Sequence, residues 1–321
     1  MDRNGNNQSL AEGVKRFVPG HGGDCTLIVG TEKTAVIDTA MTYCVRELVE
    51  MLSEELGGRP LDYVLLSHSH YDHVGGVPGL RQRWPELEVL GSLHAREIFR
   101  RDGAQAAIRR LTESAASDYL GEDSPEWRGR AETFMNYSKD EMQVDRVIGE
   151  GDAVWLGDLS VRVLDTPGHT NCSLSFYIPE RGLLFPSESV GCYKHRDYMN
   201  SPFLTGFQDT IDSIEKCRAV APLRVVSPHY GLVRDISPEE YFDLAEREAY
   251  HVRDFVLNCL RDGLTEEQVL ERCVEEFWMS RGEDRREQPL PAFTINMNAT
   301  IRLVEREFAD DLKSSWGRRF Q

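Results

Sequence analysis

A layered α/β domain followed by a helical extension is the fold class that the 321-residue sequence predicts. Three observations carry this expectation. Short apolar runs rich in β-branched residues alternate with helical patterns through the first two thirds of the chain. Strand signals stop at Ser237, where capping motifs begin to introduce helices. The length suits one large layered domain with an appendage, enough to bury a substantial core.

Taken in order, residues 26–29 and 34–37 read as two strands joined by a hairpin-like turn over 30–33. Within 43–56, Val45, Leu48, Val49 and Leu52 recur at helical spacing. Residues 63–66 and 87–90 are strands, and 93–101 a helix. The later strands are 153–156, 160–164, 174–178, 183–185 and 224–227. Between them, 102–147 is polar, helical around 104–116 and charged over 122–132. It has too few apolar residues for a core of its own, so it reads as an insertion.

Beyond the strands, Ser237, Pro238 and Glu240 combine an N-cap, an N1 proline and a capping-box acid for a helix reaching Arg261. Thr265 and Gln268 repeat the capping-box spacing before 269–278. A last helix over 292–312 aligns Phe293, Met297, Ile301, Val304 and Phe308 on one face. The expected organisation is an N-terminal tail (1–19), a β-rich core (20–235) carrying the insertion (102–147), and a C-terminal helical extension (236–321).

Composition removes several functions. With 37 Lys and Arg against 54 Asp and Glu, the net charge is −17, so polymeric anions and anionic membranes are poor partners. The seven cysteines are scattered and form no Cys-x-x-Cys pair, which argues against a disulfide framework or a thiolate zinc site. The first eleven residues are polar and lack the basic start and apolar stretch of a signal peptide, and no run is long enough to span a membrane. A cytoplasmic setting is expected.

The strongest motif is Ser67-His68-Ser69-His70-Tyr71-Asp72-His73, directly after the strand at 63–66. His68 and His70 lie two apart, so an extended backbone points both imidazoles the same way. Asp72 and His73 fall where the chain turns and can face a neighbouring position. Metals need three or four ligands, and the chain offers partners at other strand ends. His169 follows the strand at 160–164 in Thr-Pro-Gly-His-Thr, Glu188 follows Leu-Leu-Phe, and His229 follows 224–227 in Ser-Pro-His-Tyr-Gly.

The order His-x-His-x-Asp-His, Thr-Pro-Gly-His-Thr, a carboxylate after Leu-Leu-Phe, then Pro-His-x-Gly resembles the metallo-β-lactamase-fold hydrolase superfamily over roughly residues 20–235. Its wording and helical tail look closest to the branch of the quinolone-signal response protein and related thioesterase-like hydrolases. The resemblance implies a four-layer αββα sandwich with the helical extension added at its C-terminus. It also implies a one- or two-metal centre, with two divalent ions expected, zinc first and iron or manganese as alternatives. His68, His70 and His169 match the first metal's ligands, and Asp72, His73 and His229 the second's. At the bridging carboxylate the family usually has Asp after Gly, whereas this chain has Glu188 after Ser187. Glu is one methylene longer, and two metals about 3.5–4 Å apart tolerate little misplacement of a bridge.

Such ligands imply a metal-bound hydroxide that attacks a small ester, thioester or lactone, with Asp72 orienting it. Tyr193 and His195 are candidates to protonate the leaving group, and Tyr71 and Tyr230 stand beside the ligands as substrate contacts. From the tail, Phe255 and Phe293 are candidate members of an apolar pocket wall, which would suit a small acyl substrate. Phosphodiesterase activity on a small substrate and a weakly catalytic, metal-binding signalling effector are the alternatives. A homodimer is the assembly kept open.

Overall fold

The computed structural model describes residues 7–120 and 137–312. The charged run at 122–132 lies outside the described residues. A seven-stranded sheet runs in sequence order through β1 (Asn7–Ala11), β2 (Val14–Gly20), β3 (Gly23–Val29), β4 (Thr34–Ile37), β5 (Tyr63–Leu65), β6 (Glu88–Gly91) and β7 (Arg146–Val147). Its first four strands pair antiparallel and the rest parallel. The second sheet is built from β8 (Ala153–Trp155), β9 (Ser160–Asp165), β10 (Leu174–Ile178) and β11 (Leu183–Phe185). A separate hairpin, β12 (Cys192–His195) and β13 (Tyr198–Asn200), precedes β14 (Arg224–Ser227) and β15 (Gly231–Leu232), which complete the order β15-β14-β11-β10-β9-β8.

Helices close both outer faces. On the first sheet lie α1 (Val45–Leu56), α2 (Tyr71–Val74), α3 (Val77–Arg83), α4 (Leu93–Phe99) and α5 (Asp102–Leu120). Against the second packs α6 (Phe207–Ala219); α7 (Pro238–Arg261) lies on α6 and the β12-β13 hairpin, and α8 (Glu266–Cys273) and α9 (Leu290–Glu307) pack on α7 and on each other. Three buried clusters follow from this layering. Leu48, Leu52 and Leu80 pack under the first helical layer. Ile28, Leu65, Phe176 and Phe185 fill the space between the sheets. Tyr241, Val256 and Ile301 join the second sheet's helices into one core. The extension therefore completes the αββα sandwich. Its capping boxes at Ser237 and Thr265 form as the residues require.

Three boundaries differ from expectation. Residues 7–19, expected as a tail, lie in β1 and β2, because Leu10, Val14 and Phe17 bury in the core and Arg16 is buried with them. The insertion ends before Arg146, since β7 pairs with β6. Helix α6 was not expected. Its Phe207, Thr210, Ile211, Ile214 and Cys217 bury at helical spacing, and it supplies the crossover that lets β11 and β14 run parallel.

Candidate metal centre

The carboxyl ends of β4, β5, β9, β11 and β14 converge at one edge of the sandwich, and each carries a polar residue onto the same spot. Leu174 N donates to Ser67 O at 2.7 Å, tying the two sheets together beside the histidine motif. At the Pro167-Gly168 turn, φ at Gly168 is 132°, and a Cβ there would lie 2.1 Å from Thr210 Oγ1, so only glycine allows the approach. The Gly168 carbonyl accepts from Leu204 N and Thr205 N, both at 2.9 Å, which fixes the turn presenting His169.

Two donor groups result, His68 with His70 and His169, and Asp72 with His73, Glu188 and His229; within each, one donor atom per residue lies within 4.8 Å of the others. Glu188 touches both. Its Oε1 is 2.9 Å from His73 Nε2, 3.1 Å from His229 Nε2 and 3.7 Å from His68 Nε2, while Oε2 is 3.6 Å from His169 Nε2. Asp72 Oδ2 stands 3.7 Å from His73 Nε2 and 4.0 Å from His229 Nε2.

Supporting hydrogen bonds set which ring nitrogen faces inward. Pro202 O can only accept, so His169 Nδ1 donates to it at 2.6 Å and leaves the Nε2 lone pair facing the cluster. Ser67 Oγ donates to Asp38 Oδ2 at 2.7 Å and therefore accepts from His68 Nδ1 at 3.0 Å, again freeing Nε2. Asp38 also accepts from His73 Nδ1 at 2.8 Å and from Ser67 N at 2.8 Å. Its left-handed backbone, φ 55°, turns the carboxylate back under the site.

The residues fit divalent cations. His68 Nε2 is buried with no hydrogen-bond partner among the described residues, an arrangement that costs free energy unless something electropositive meets it. Burial, and then the neighbouring imidazoles, hold His68 well below the usual histidine range; His70 is pushed down to about 3. Both rings are neutral and present lone pairs. Burial would raise the Glu188 carboxyl, but the His169 and His229 imidazoles beside it hold it well below the carboxylate range. Burial works against charge on His73, yet Asp72 and Asp38 raise it well above the usual value, and Glu188 raises His229 in the same way. Imidazoles with carboxylates are the donors that zinc, iron and manganese share.

Beside the cluster opens a cavity of about 150 Å³, whose wall includes His70, Asp72, Glu188 and His229. Helix α5 contributes Leu111, Ala115 and Tyr119, and the start of α9 contributes Ala292 and Ile295. Tyr71 and Tyr230 line it, together with Tyr198, whose hydroxyl accepts from Tyr230 Oη at 3.2 Å and from Arg281 Nη1 at 3.1 Å. Tyr198 and the α5 face were not anticipated from the sequence. Nothing in their local pattern distinguishes them from packing residues.

Four expected contacts lie elsewhere. Cys192 faces the cavity, and alternation along β12 turns Tyr193 into the helical core, where its hydroxyl donates to Asp235 Oδ2 at 2.7 Å. His195 pairs through Nε2 with Asp284 Oδ2 at 2.7 Å and is not in the cavity wall. Phe255 packs edge-to-face on Phe277, ring centres 5.1 Å apart. Phe293 is buried on the core face of α9, and the neighbouring face, Ala292, Ile295 and Asn296, meets the cavity instead.

Residues 18–229 match the family model of the metallo-beta-lactamase superfamily. The chain belongs to that superfamily. Among curated superfamily relatives, it is 29% identical over 132 residues to a hydroxyacylglutathione hydrolase of Legionella pneumophila (strain Lens), covering 40% of this chain and 35% of that protein. It is 26% identical over 199 residues to an acyl-coenzyme A thioesterase of Homo sapiens, covering 57% of this chain and 65% of that one. The chain thus spans about a third of the first relative's length and just under two thirds of the second's. A beta-lactamase domain protein from Burkholderia ambifaria has the same superfamily fold, with a TM-score of 0.64 at 16% identity, covering 94% of this chain and 87% of that one. A metallo-beta-lactamase family protein from Thermus thermophilus superposes with a TM-score of 0.60 at 18% identity, over 93% and 95% of the two chains.

Proposed function

We propose that this superfamily member is a metal-dependent hydrolase of a small ester, thioester or lactone. The observation that carries the reading is the Glu188 carboxylate, which reaches both donor groups and lines a cavity whose wall combines apolar and tyrosine side chains with polar ones such as Asn200, Gln288 and Asn296. Divalent cations bound there supply a hydroxide near neutral pH and polarise a carbonyl oxygen. The chain's own residues do the rest. Asp72 lines the cavity with Oδ2 3.7 Å from His73 Nε2 and 4.0 Å from His229 Nε2, a position from which it can orient the attacking water and take its proton. Tyr230 and Tyr198 form a hydroxyl pair backed by Arg281, able to donate a hydrogen bond to the bound substrate. Leu111, Ala115 and Ala292 offer an acyl group an apolar surface. The names of the Legionella and human relatives, a hydroxyacylglutathione hydrolase and an acyl-coenzyme A thioesterase, favour the same substrate class.

Initial rates on a panel of small acyl esters, thioesters and lactones, set beside chromogenic phosphodiesters, test the assignment. Acyl substrates are expected to be the faster class. Phosphodiester rates well above them would reverse it.

A further inference from the structure

We propose that Arg16 is a positioning residue for one of the two donor groups: together with Asp24 it locks the backbone of His229, so that this imidazole meets Glu188 and Asp72. The inference rests on the metal-centre reading above and assigns a role that neither the motifs nor the family match contains. Arg16 lies on β2 opposite Thr26 of β3, and Asp24, two residues along β3, shares its face of the sheet. The Arg16 side chain is only 11% exposed. A guanidinium this enclosed needs fixed partners. It has two: Nε donates to Asp24 Oδ2, and Nη2 donates to the backbone carbonyl of His229 at 2.5 Å, 213 residues away in sequence.

His229 has a reason to need that anchor. Ser227 and Gly231 pair across β14 and β15, leaving Pro228, His229 and Tyr230 as the tip of a tight hairpin. At the tip His229 has φ 64°, a left-handed conformation that a side-chain-bearing residue adopts only when its surroundings impose it. Tyr230 N donates to Pro228 O at 2.8 Å across the tip, and the His229 carbonyl is turned toward β2, where Arg16 holds it. Gly231 keeps the space for this contact. Its φ is 82°, and a Cβ there would lie 3.0 Å from Arg16 Cδ and 3.1 Å from Nη1. The two histidines of this group are thus held from behind in complementary ways, His73 through its ring nitrogen by Asp38 and His229 through its backbone by Arg16. His68 and His169 depend on other contacts, Ser67 and Pro202.

The consequence is a split between the two metal positions. Zn²⁺ titration of chelator-stripped protein should show two equivalents in the wild type. Arg16→Met should keep one equivalent at an affinity within about 3-fold of wild type and weaken the other by about 10-fold or more, the scale of losing a contact behind a ligand. Arg16→Lys still reaches the carbonyl with one donor and should recover part of the loss. Asp24→Asn, which frees the guanidinium without removing it, should show the same one-sided weakening and serves as the test if Arg16→Met does not fold. Two equivalents bound as tightly as in wild type by these variants would overturn the proposal, and so would equal weakening of both, which marks a general loss of structure. A wild-type protein that binds fewer than two equivalents contradicts the dinuclear reading itself, before any variant is compared.

Discussion

Glu188 decides how the two donor groups communicate, and its length is the feature that separates this chain from the family's usual Asp. With Oε1 at 2.9 and 3.1 Å from His73 and His229, the carboxylate reaches its partners from the first position of a short turn, Glu188–Val190. Removing one methylene draws it away from both. Glu188→Asp is therefore expected to lower turnover and the affinity of the second metal equivalent by about 10–100-fold; turnover that rises instead would identify a chain with reduced catalytic capacity. Tyr193→Phe should leave turnover within about 2-fold and cost about 1 kcal/mol of stability, the value of one partly buried hydrogen bond to Asp235, as read by denaturant unfolding. Protons compete with cations at His73 and His229, whose raised pKa values come from the carboxylates around them. Metal binding needs both rings deprotonated, so apparent Zn²⁺ affinity should rise with pH and fall as the medium becomes acidic.

At the scale of elements, what was legible was local. The strands at 34–37, 174–178, 183–185 and 224–227 and the helix ending at Arg261 coincide with the structure, because apolar runs and capping boxes are written in adjacent residues. The metal-ligand candidates were legible for the same reason, since each ends a strand or opens a turn. Residues whose meaning depends on distant chain were not. Arg16 in an apparent tail and Leu111 in a polar insertion acquire roles only when β14 and α9 arrive beside them. Asp38 follows β4 as the other donors follow their strands, and that position is a signal of the same kind. Helix α9 shows the limit of a single stripe. Its apolar stripe placed Phe293 in the pocket wall, whereas Phe293 is buried in the core and Ala292, one step round the helix, meets the cavity. Ala292→Trp should therefore lower kcat/KM more for long than for short acyl esters while leaving metal content unchanged. Phe293→Ala should instead cost about 3–5 kcal/mol of stability, the range for truncating a buried phenylalanine.

For the whole molecule, the sandwich brings five histidines and two carboxylates from both sheets into one enclosed space, and cation binding links their mutual placement to global stability. Stripping the metals is expected to lower Tm, since a cation at about 1,000 times its Kd contributes about 4 kcal/mol to the folded state. The net charge of −17 disfavours polyanionic substrates and agrees with a small acyl compound in the cavity. The central claim, that the cluster is a working metal centre for acyl hydrolysis, is tested most directly by removing divalent cations with a chelator and restoring zinc, manganese or iron singly while following hydrolysis of an acyl thioester. Turnover should disappear with the metal and return with at least one of the three. Hydrolysis that continues at the same rate in metal-free protein would contradict it.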